Sequence, residues 1–146
     1  MGNFNPSSRR KARRLVLQAL YQWVLTNDPI DVIASQFAEC MLSTRVDKAY
    51  FLELLHYISA HAQELDEMMS SLLDRPIDQI NPIELAILRI GIYELKYRPD
   101  VPYRVVINEE LELAKMFGAE ESHKFINGIL DALAKQLRSL EINSVK

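Results

Sequence analysis

Apolar side chains recur along this chain at intervals of three and four residues, which is the spacing of an amphipathic α-helix. The first such stripe follows Pro6 and consists of Ala12, Leu15, Val16, Ala19, Leu20 and Trp23. The alternating pattern of a strand is nearly absent from the sequence, and Asn127-Gly128, a common hairpin turn, lies inside a helical pattern. The sequence therefore predicts an all-α protein.

Turn signals divide the apolar pattern into six helical segments. Asp28-Pro29 and Asn81-Pro82 each place a capping residue before a proline, which suits the first position of a helix. We expect a helix from about Pro6, a short helix after Pro29 that carries Met41, and helices over about 47–73, 83–97, 105–117 and 120–137.

These predicted helices form two groups of three. The break near 74–81 separates a half of about 7–73 from a half of about 81–138, and we treat the whole chain as one domain. The third helix is long for a globular protein, so a kink near Ala60–Ala62 is expected. The fourth helix is apolar around most of its circumference, which predicts a buried central helix.

Charge is distributed unevenly along the chain, although the net charge is only −3. Residues 1–27 contain five basic side chains and no acidic one, whereas residues 28–146 carry all 20 acidic side chains and a net charge of −8. A basic segment on an acidic body suggests that the first helix meets a polyanion.

Composition excludes several classes of protein. Cys40 is the only cysteine, so an internal disulfide and a cysteine zinc site are impossible, and we expect a cytoplasmic protein with Cys40 in its core. No apolar run approaches the ~20 residues of a membrane span, and we expect no membrane contact. The arginine-rich start also fits a mitochondrial presequence, but the same segment supplies core residues, which argues against a removable leader.

The first helix carries a basic face opposite its apolar stripe. A helical wheel places Arg10, Arg14, Leu17 and Tyr21 on this face, with Arg13 at its edge. Guanidinium groups neutralise phosphates, and an exposed ring can stack on a base. Basic residues at a helix N-terminus interact unfavourably with the helix dipole and cost some stability, so their presence there indicates a functional reason for them. Nucleic-acid binding is the hypothesis, and a solvated helix end is the alternative.

An aromatic residue in the last helix repeats this theme. Phe125 lies to one side of the apolar stripe of that helix and follows Lys124 in the sequence. It is either a second stacking platform for a base or a core residue packed against a neighbouring helix.

A di-metal site is a further alternative. Two Glu-x-x-His spacings, Glu53–His56 and Glu120–His123, resemble part of a carboxylate-bridged bundle, which Glu84 and Glu109 or Glu110 could complete. Acidic residues are expected at the start of the last helix for its dipole alone. The sequence contains no glycine-rich phosphate loop and no nucleophile elbow. The residues therefore favour neither hydrolytic catalysis nor a metal site.

Two long stretches carry a family resemblance. The segment RRKARRLVLQALYQW spans 9–23, and a second segment spans 83–134 and contains VPYRVVINE and FGAEESHKFINGILD. These segments resemble the NusB family of transcription antitermination factors, and the resemblance extends over nearly the whole length of the chain. Similar modules precede some rRNA cytosine methyltransferase domains, but no such domain follows here, so we expect the stand-alone factor.

The resemblance implies a fold of two perpendicular three-helix bundles. It also implies a partner, NusE, which is a small-subunit ribosomal protein, and a single-stranded RNA element, boxA, in nascent transcripts. The complex would join NusA and NusG on RNA polymerase and support antitermination, chiefly in rRNA operons, without catalysis or cofactor. A purely protein-binding helical adaptor with an incidental basic segment is the competing hypothesis.

Site residues follow from the same resemblance. The positions that match the family's RNA-binding elements are Arg9, Arg10, Lys11, Arg13, Arg14, Tyr21, Glu121, Ser122, Lys124 and Phe125. Glu84 corresponds to a residue at the family's NusE surface, and Arg89 is a further candidate for that surface. Because a ribosomal protein is expected to be basic, the acidic body of this chain would attract it.

Overall fold

The computed structural model of the protein describes residues 5–42 and 45–144. In that part of the chain it contains eight α-helices and no β-strand, so the predicted all-α class is confirmed. The helices are α1 (Pro6–Thr26), α2 (Ile30–Gln36), α3 (Lys48–Ala60), α4 (Ala62–Ser70), α5 (Pro82–Tyr97), α6 (Tyr103–Phe117), α7 (Ser122–Leu137) and α8 (Ser139–Ser144). The combination of length and hydropathy needed to cross a membrane is found in none of these helices.

The two ends of α1 are fixed by local chemistry. The side-chain oxygen of Asn5 accepts hydrogen bonds from the backbone N–H groups of Ser7 and Ser8 at 3.0 and 3.3 Å. At the other end Asn27 has φ 57°, in the left-handed region, and its N–H bonds to the carbonyl of Trp23. Asparagine tolerates this conformation better than most residues, so the helix ends there.

The chain divides into two compact units between His61 and Ala62. In the first unit α1 packs against both α2 and α3. The predicted stripe of α1 faces the core: Ala12, Val16, Ala19 and Leu20 are completely buried, and Leu15 and Trp23 are partly buried. α3 contributes Phe51, Leu54, Leu55 and Ile58.

The long helix expected over 47–73 is in fact two helices, α3 and α4. The interruption lies at His61, with φ −120° and ψ 24°, where a kink was expected. The N–H of His61 bonds to the carbonyls of Tyr57 and Ile58, which closes α3. The division between the units therefore lies at His61, before the break near 74–81 that separates the predicted halves.

The second predicted helix is shorter than expected. α2 ends at Gln36, and the chain continues through a separate 3-10 turn, Glu39–Met41. Cys40 is exposed, so the expectation that it fills the core is wrong. Because the backbone leaves the α-helical path after Gln36, side chains beyond it no longer follow the apolar stripe of α2.

In the second unit α5 is the central helix. Every residue from Leu85 to Leu95 is buried, as the largely apolar circumference of the helix predicts. α6 and α7 pack on α5 and on each other, and α4 and α8 lie at the edge of this unit. A side chain at Gly91 would meet the methyl groups of Leu130 at 2.9 Å, so glycine permits the close approach of α7 to α5.

A buried arginine closes the C-terminal end of α5. The guanidinium group of Arg138 donates to the carbonyls of Leu95, Arg98 and Glu94 at 2.7, 2.9 and 3.1 Å. The same group pairs with the carboxylate of Glu141 in α8 at 2.5 Å. Carbonyls left unpaired at the end of α5 are thus satisfied by a charged donor.

Candidate nucleic-acid interface

The exposed face of α1 carries basic residues on a rigid helix. Arg10 is exposed, Lys11 and Arg14 are half-buried, and the ring of Tyr21 is 36% exposed. Leu17 is 1% exposed, so its expected place on this face is wrong. α1 packs against two helices, and its buried surface is therefore wider than the apolar stripe alone suggests.

Two arginines lie on one aromatic ring at the base of this face. The guanidinium carbons of Arg9 and Arg13 lie 4.3 and 5.5 Å from the ring centroid of Tyr50. Arg13 is only 3% exposed, so its expected position at the edge of the exposed face is wrong. The ring of Tyr50 attracts both cations, and this attraction accounts for a charged side chain in the interior.

An acidic residue links this pair to the start of α3. Asp47 accepts a hydrogen bond from the backbone N–H of Tyr50 at 3.0 Å and lies 3.6 Å from the Nε atom of Arg9. The N–H of Asp47 donates to the carbonyl of Ser8 in the first turn of α1. These interactions of Asp47 therefore hold the N-terminal turns of α1 and α3 together next to the basic residues.

A depression of about 290 Å³ opens beside the basic face of α1. Its lining combines cationic, amide and apolar groups: Lys11, Arg14, Leu15, Gln18, Cys40 and Val46. Such a mixture of charge and apolar surface suits a ligand that carries both phosphate and a flat ring. Cys40, which was expected in the core, belongs to this surface.

A second aromatic and cationic patch lies in the second unit. The guanidinium carbon of Arg75 lies 4.8 Å from the ring centroid of Phe125, which is half-buried on the first turn of α7. The neighbouring Lys124 is exposed and pairs with Glu121 at 3.1 Å. The structure thus places three predicted residues, Glu121, Lys124 and Phe125, together and adds Arg75. Arg75 could not be predicted from the sequence, because it lies in a turn without a motif.

Asp74 fixes the position of Arg75. Its Oδ1 atom accepts a hydrogen bond from the Nε group of Arg75 at 2.9 Å. This hydrogen bond from Arg75 lowers the pKa of the Asp74 carboxyl group and raises the pKa of Arg75. The guanidinium group is therefore charged and held over the ring.

Ser122 lies inside the protein. It is 2% exposed, and its hydroxyl group donates to the Oε2 atom of Glu84 at 2.6 Å and accepts from the N–H of Ala119 at 3.1 Å. Ser122 therefore joins the start of α7 to α5, and its side chain lies off the exposed surface that the resemblance implies. Glu84 itself is half-buried.

Arg89 is a structural residue in this fold. Its guanidinium group makes two hydrogen bonds to the carboxylate of Asp66, at 2.9 and 2.8 Å, between α5 and α4. The residue is 7% exposed, so its guanidinium group lies inside the second unit and does not form an exposed surface of the kind expected for a partner contact. The arginine neutralises Asp66 within the second unit.

The residues suggested for a di-metal site are not gathered around one point in the described chain. His56 lies 3.0 Å from Asp31 within the first unit, and Glu110 is buried in α6. Across residues 5–42 and 45–144, no three His, Cys, Asp or Glu side chains come together as a metal would require. The metal alternative therefore finds no geometric support in the described chain.

These observations define a class: an all-helical protein that presents arginines beside aromatic rings at its surface. The sequence matches the NusB family over residues 10–135. A transcription antitermination protein NusB from Alcanivorax borkumensis is 53% identical over 136 residues, which cover 93% of this chain and 91% of that protein. The corresponding protein of Shewanella amazonensis is 52% identical over 88% of this chain and 96% of its own length. The chain belongs to the NusB family.

Solved structures agree with this assignment. A crystal structure of the antitermination factors NusB and NusE in complex with double-stranded RNA has a TM-score of 0.81 at 26% identity, with 90% of this chain and 99% of that chain covered. A structure of NusB from T. maritima has a TM-score of 0.77 at 30% identity, with 87% and 90% covered. The all-helical fold is thus shared with solved members of the family.

Proposed function

We propose that this protein is an RNA-binding transcription antitermination factor that binds single-stranded boxA RNA together with a NusE partner. The observation that carries the proposal is the exposed basic face of α1, with Arg10, Lys11, Arg14 and Tyr21 on a helix whose opposite face builds the core. Family membership supports the same function, because its curated relatives are transcription antitermination proteins.

The basic face acts mainly on phosphates. Arg10 and Arg14 are four residues apart and so lie on neighbouring turns of one helix face. Their charges would follow the backbone of a flexible strand and release bound counterions. Tyr21 offers a ring on which an unstacked base can lie. Phosphate contacts carry little sequence information, so the choice of boxA must come from base edges, from the partner, or from both.

The proposal favours single-stranded RNA for a physical reason. Stacking on Tyr21 and on the patch at Phe125 requires bases that are free of their own stack, as in loops and single strands. A similar solved complex contains double-stranded RNA. A duplex would meet this protein chiefly through phosphates and 2′-hydroxyl groups, without using the aromatic rings.

The partner would be NusE, and Glu84 is the residue that we propose for its surface. Residues 28–146 carry a net charge of −8, which would attract a basic ribosomal protein. The resulting complex would join NusA and NusG on RNA polymerase in the cytoplasm, chiefly at rRNA operons. We assign the protein no catalytic step and no cofactor.

A mobility-shift titration tests the proposal. The probes are single-stranded boxA RNA, a scrambled strand of equal length and a duplex of boxA, each with and without purified NusE. We expect the boxA strand to bind most tightly, with an affinity that falls as salt rises. Equal affinity for the duplex would contradict the stacking model.

The protein-binding adaptor is the competing function, and the same titration decides it. If NusE binds but none of the RNA probes does so at low salt, the basic face has no RNA role. The adaptor would then be the better description of the protein.

A further inference from the structure

Arg75 lies in a turn and belongs to none of the motifs that carry the family resemblance. Its side chain nevertheless contacts the ring of Phe125, which is expected to bind RNA. Its guanidinium carbon is 4.8 Å from the centroid of Phe125, within the range of a cation–π interaction. Phe125 is half-buried whereas Arg75 is exposed, so the guanidinium group is the more accessible member of the pair. A base approaching this patch therefore meets Arg75 before Phe125.

We propose that Arg75 and Phe125 form one binding site for a single RNA nucleotide, in which the base stacks on the outer face of the guanidinium group. This inference rests on the proposed RNA-binding function and names a residue that it does not include. Bases stack on guanidinium planes as well as on aromatic rings. Phe125 supports the arginine from below, and Lys124 adds a charge on the same turn of α7.

The charge arrangement suits a phosphate at the same place. A guanidinium group has five N–H donors, and the Nε donor of Arg75 is used by Asp74 at 2.9 Å. The carboxylate holds the plane in position, and the other donors can meet a phosphate oxygen of the same nucleotide. The side chain of Arg75 is 39% exposed and that of Asp74 is 75% exposed, so both side chains are accessible from solvent.

The simplest alternative is that Arg75 only covers Phe125 and that bases stack on the ring itself. The two arrangements make opposite predictions for removal of the guanidinium group. If Arg75 is a cover, Arg75→Ala frees the ring and RNA binds as well as before or better. If Arg75 is the stacking surface, the same substitution weakens binding.

The experiment measures boxA RNA binding by fluorescence anisotropy for the full chain and three variants. We expect Arg75→Ala to weaken binding about tenfold, the effect of one lost stacked base. Arg75→Lys keeps the charge but lacks the plane, so we expect about a fivefold loss with an unchanged salt dependence. Arg104→Ala is the matched control, because Arg104 also lies over an aromatic ring, Tyr103, at 5.7 Å.

An abasic scan of the RNA locates the nucleotide. In the unsubstituted protein, removal of one particular base should weaken binding by about the same tenfold factor. The Arg75→Ala variant should be insensitive to removal of that base and normally sensitive elsewhere. Thermal melting of each variant shows whether the second unit remains folded.

The outcomes separate this inference from the proposed function. If the unsubstituted protein does not bind RNA, both are overturned. If it binds and Arg75→Ala binds equally well or better, the nucleotide site at Arg75 is overturned while the RNA-binding function stands. Loss of binding in Arg75→Ala but full binding in Arg75→Lys would show that charge alone matters, which also overturns the stacking arrangement.

Discussion

The hydroxyl group of Ser122 donates a hydrogen bond of 2.6 Å to the carboxylate of Glu84. Ser122 belongs to the stretch that resembles the family's second RNA-binding element, and Glu84 is the residue proposed for the partner surface. The bond joins the first turn of α7 to the first turn of α5. A direct hydrogen bond therefore joins the proposed RNA-binding and partner-binding surfaces of the second unit.

This connection predicts different results for two substitutions of Glu84. Glu84→Gln keeps an oxygen that accepts from Ser122 and removes only the charge, so we expect about fivefold weaker NusE binding and unchanged RNA binding. Glu84→Lys removes the acceptor as well and should weaken both. Calorimetric titration with NusE and with boxA RNA, done separately, measures the two effects. Equal NusE affinity for Glu84→Gln and the unsubstituted protein would remove Glu84 from the partner surface.

The basic face of α1 predicts a salt-dependent loss of RNA binding. The double substitution Arg10→Ala and Arg14→Ala should weaken boxA binding about thirtyfold and reduce the slope of log affinity against log salt by about 1.4. Neither side chain belongs to the buried core, so the melting temperature should stay unchanged. Lys115→Ala with Lys135→Ala is the matched control, since it also removes two exposed cations.

Arg13 should behave differently from its neighbours. It is 3% exposed and lies over Tyr50, so Arg13→Ala should lower the free energy of unfolding by about 2 kcal/mol. Urea denaturation measures this change. A variant that is fully stable but unable to bind RNA would instead show that Arg13 reaches the RNA directly.

Cys40 offers a probe of the depression beside α1. It is the only cysteine and is exposed in the same lining as Lys11 and Arg14. Saturating boxA RNA should slow its alkylation by iodoacetamide, and high salt should restore the rate. If the rate is unaffected by bound RNA, the strand does not pass over this depression.

Helical patterns predicted the parts of the fold that depend on local sequence. The apolar stripe of α1 and the buried circumference of α5 follow from residue spacing alone. The positions of Arg13 and Arg89 could not be predicted this way, because each depends on a residue of another helix, Tyr50 and Asp66. A helical wheel gives the direction of each side chain around one helix, but it contains no information about the helices that pack against it.

In the candidate site, too, residues on a regular helix could be predicted and contacts between segments could not. Tyr21 and Phe125 were found because they lie off an apolar stripe, whereas Arg75 lies in a turn that has no periodicity. Ser122 matches the motif of the family, but a motif does not reveal whether its side chain faces solvent or Glu84.

The pair between Arg89 and Asp66 predicts a large effect on stability. Because the pair is mostly buried, with side chains 9% and 18% exposed, Arg89→Ala leaves the Asp66 carboxylate without its partner. We expect a loss of about 3 kcal/mol in the free energy of unfolding. Arg89→Ala combined with Asp66→Ala should cost less than the sum of the single substitutions. Additive effects in urea denaturation would contradict the proposed coupling.

The stack of Arg9 and Arg13 on Tyr50 has a consequence for the entropy of binding. Immobilising a free arginine side chain costs about 2 kcal/mol of conformational entropy. Here the ring of Tyr50 and the carboxylate of Asp47 order the first turns of α1 when the protein folds. The helix turns that carry Arg10 and Arg14 are then rigid before any polyanion arrives, so the ordering of this segment belongs to the folding reaction and is absent from the binding reaction.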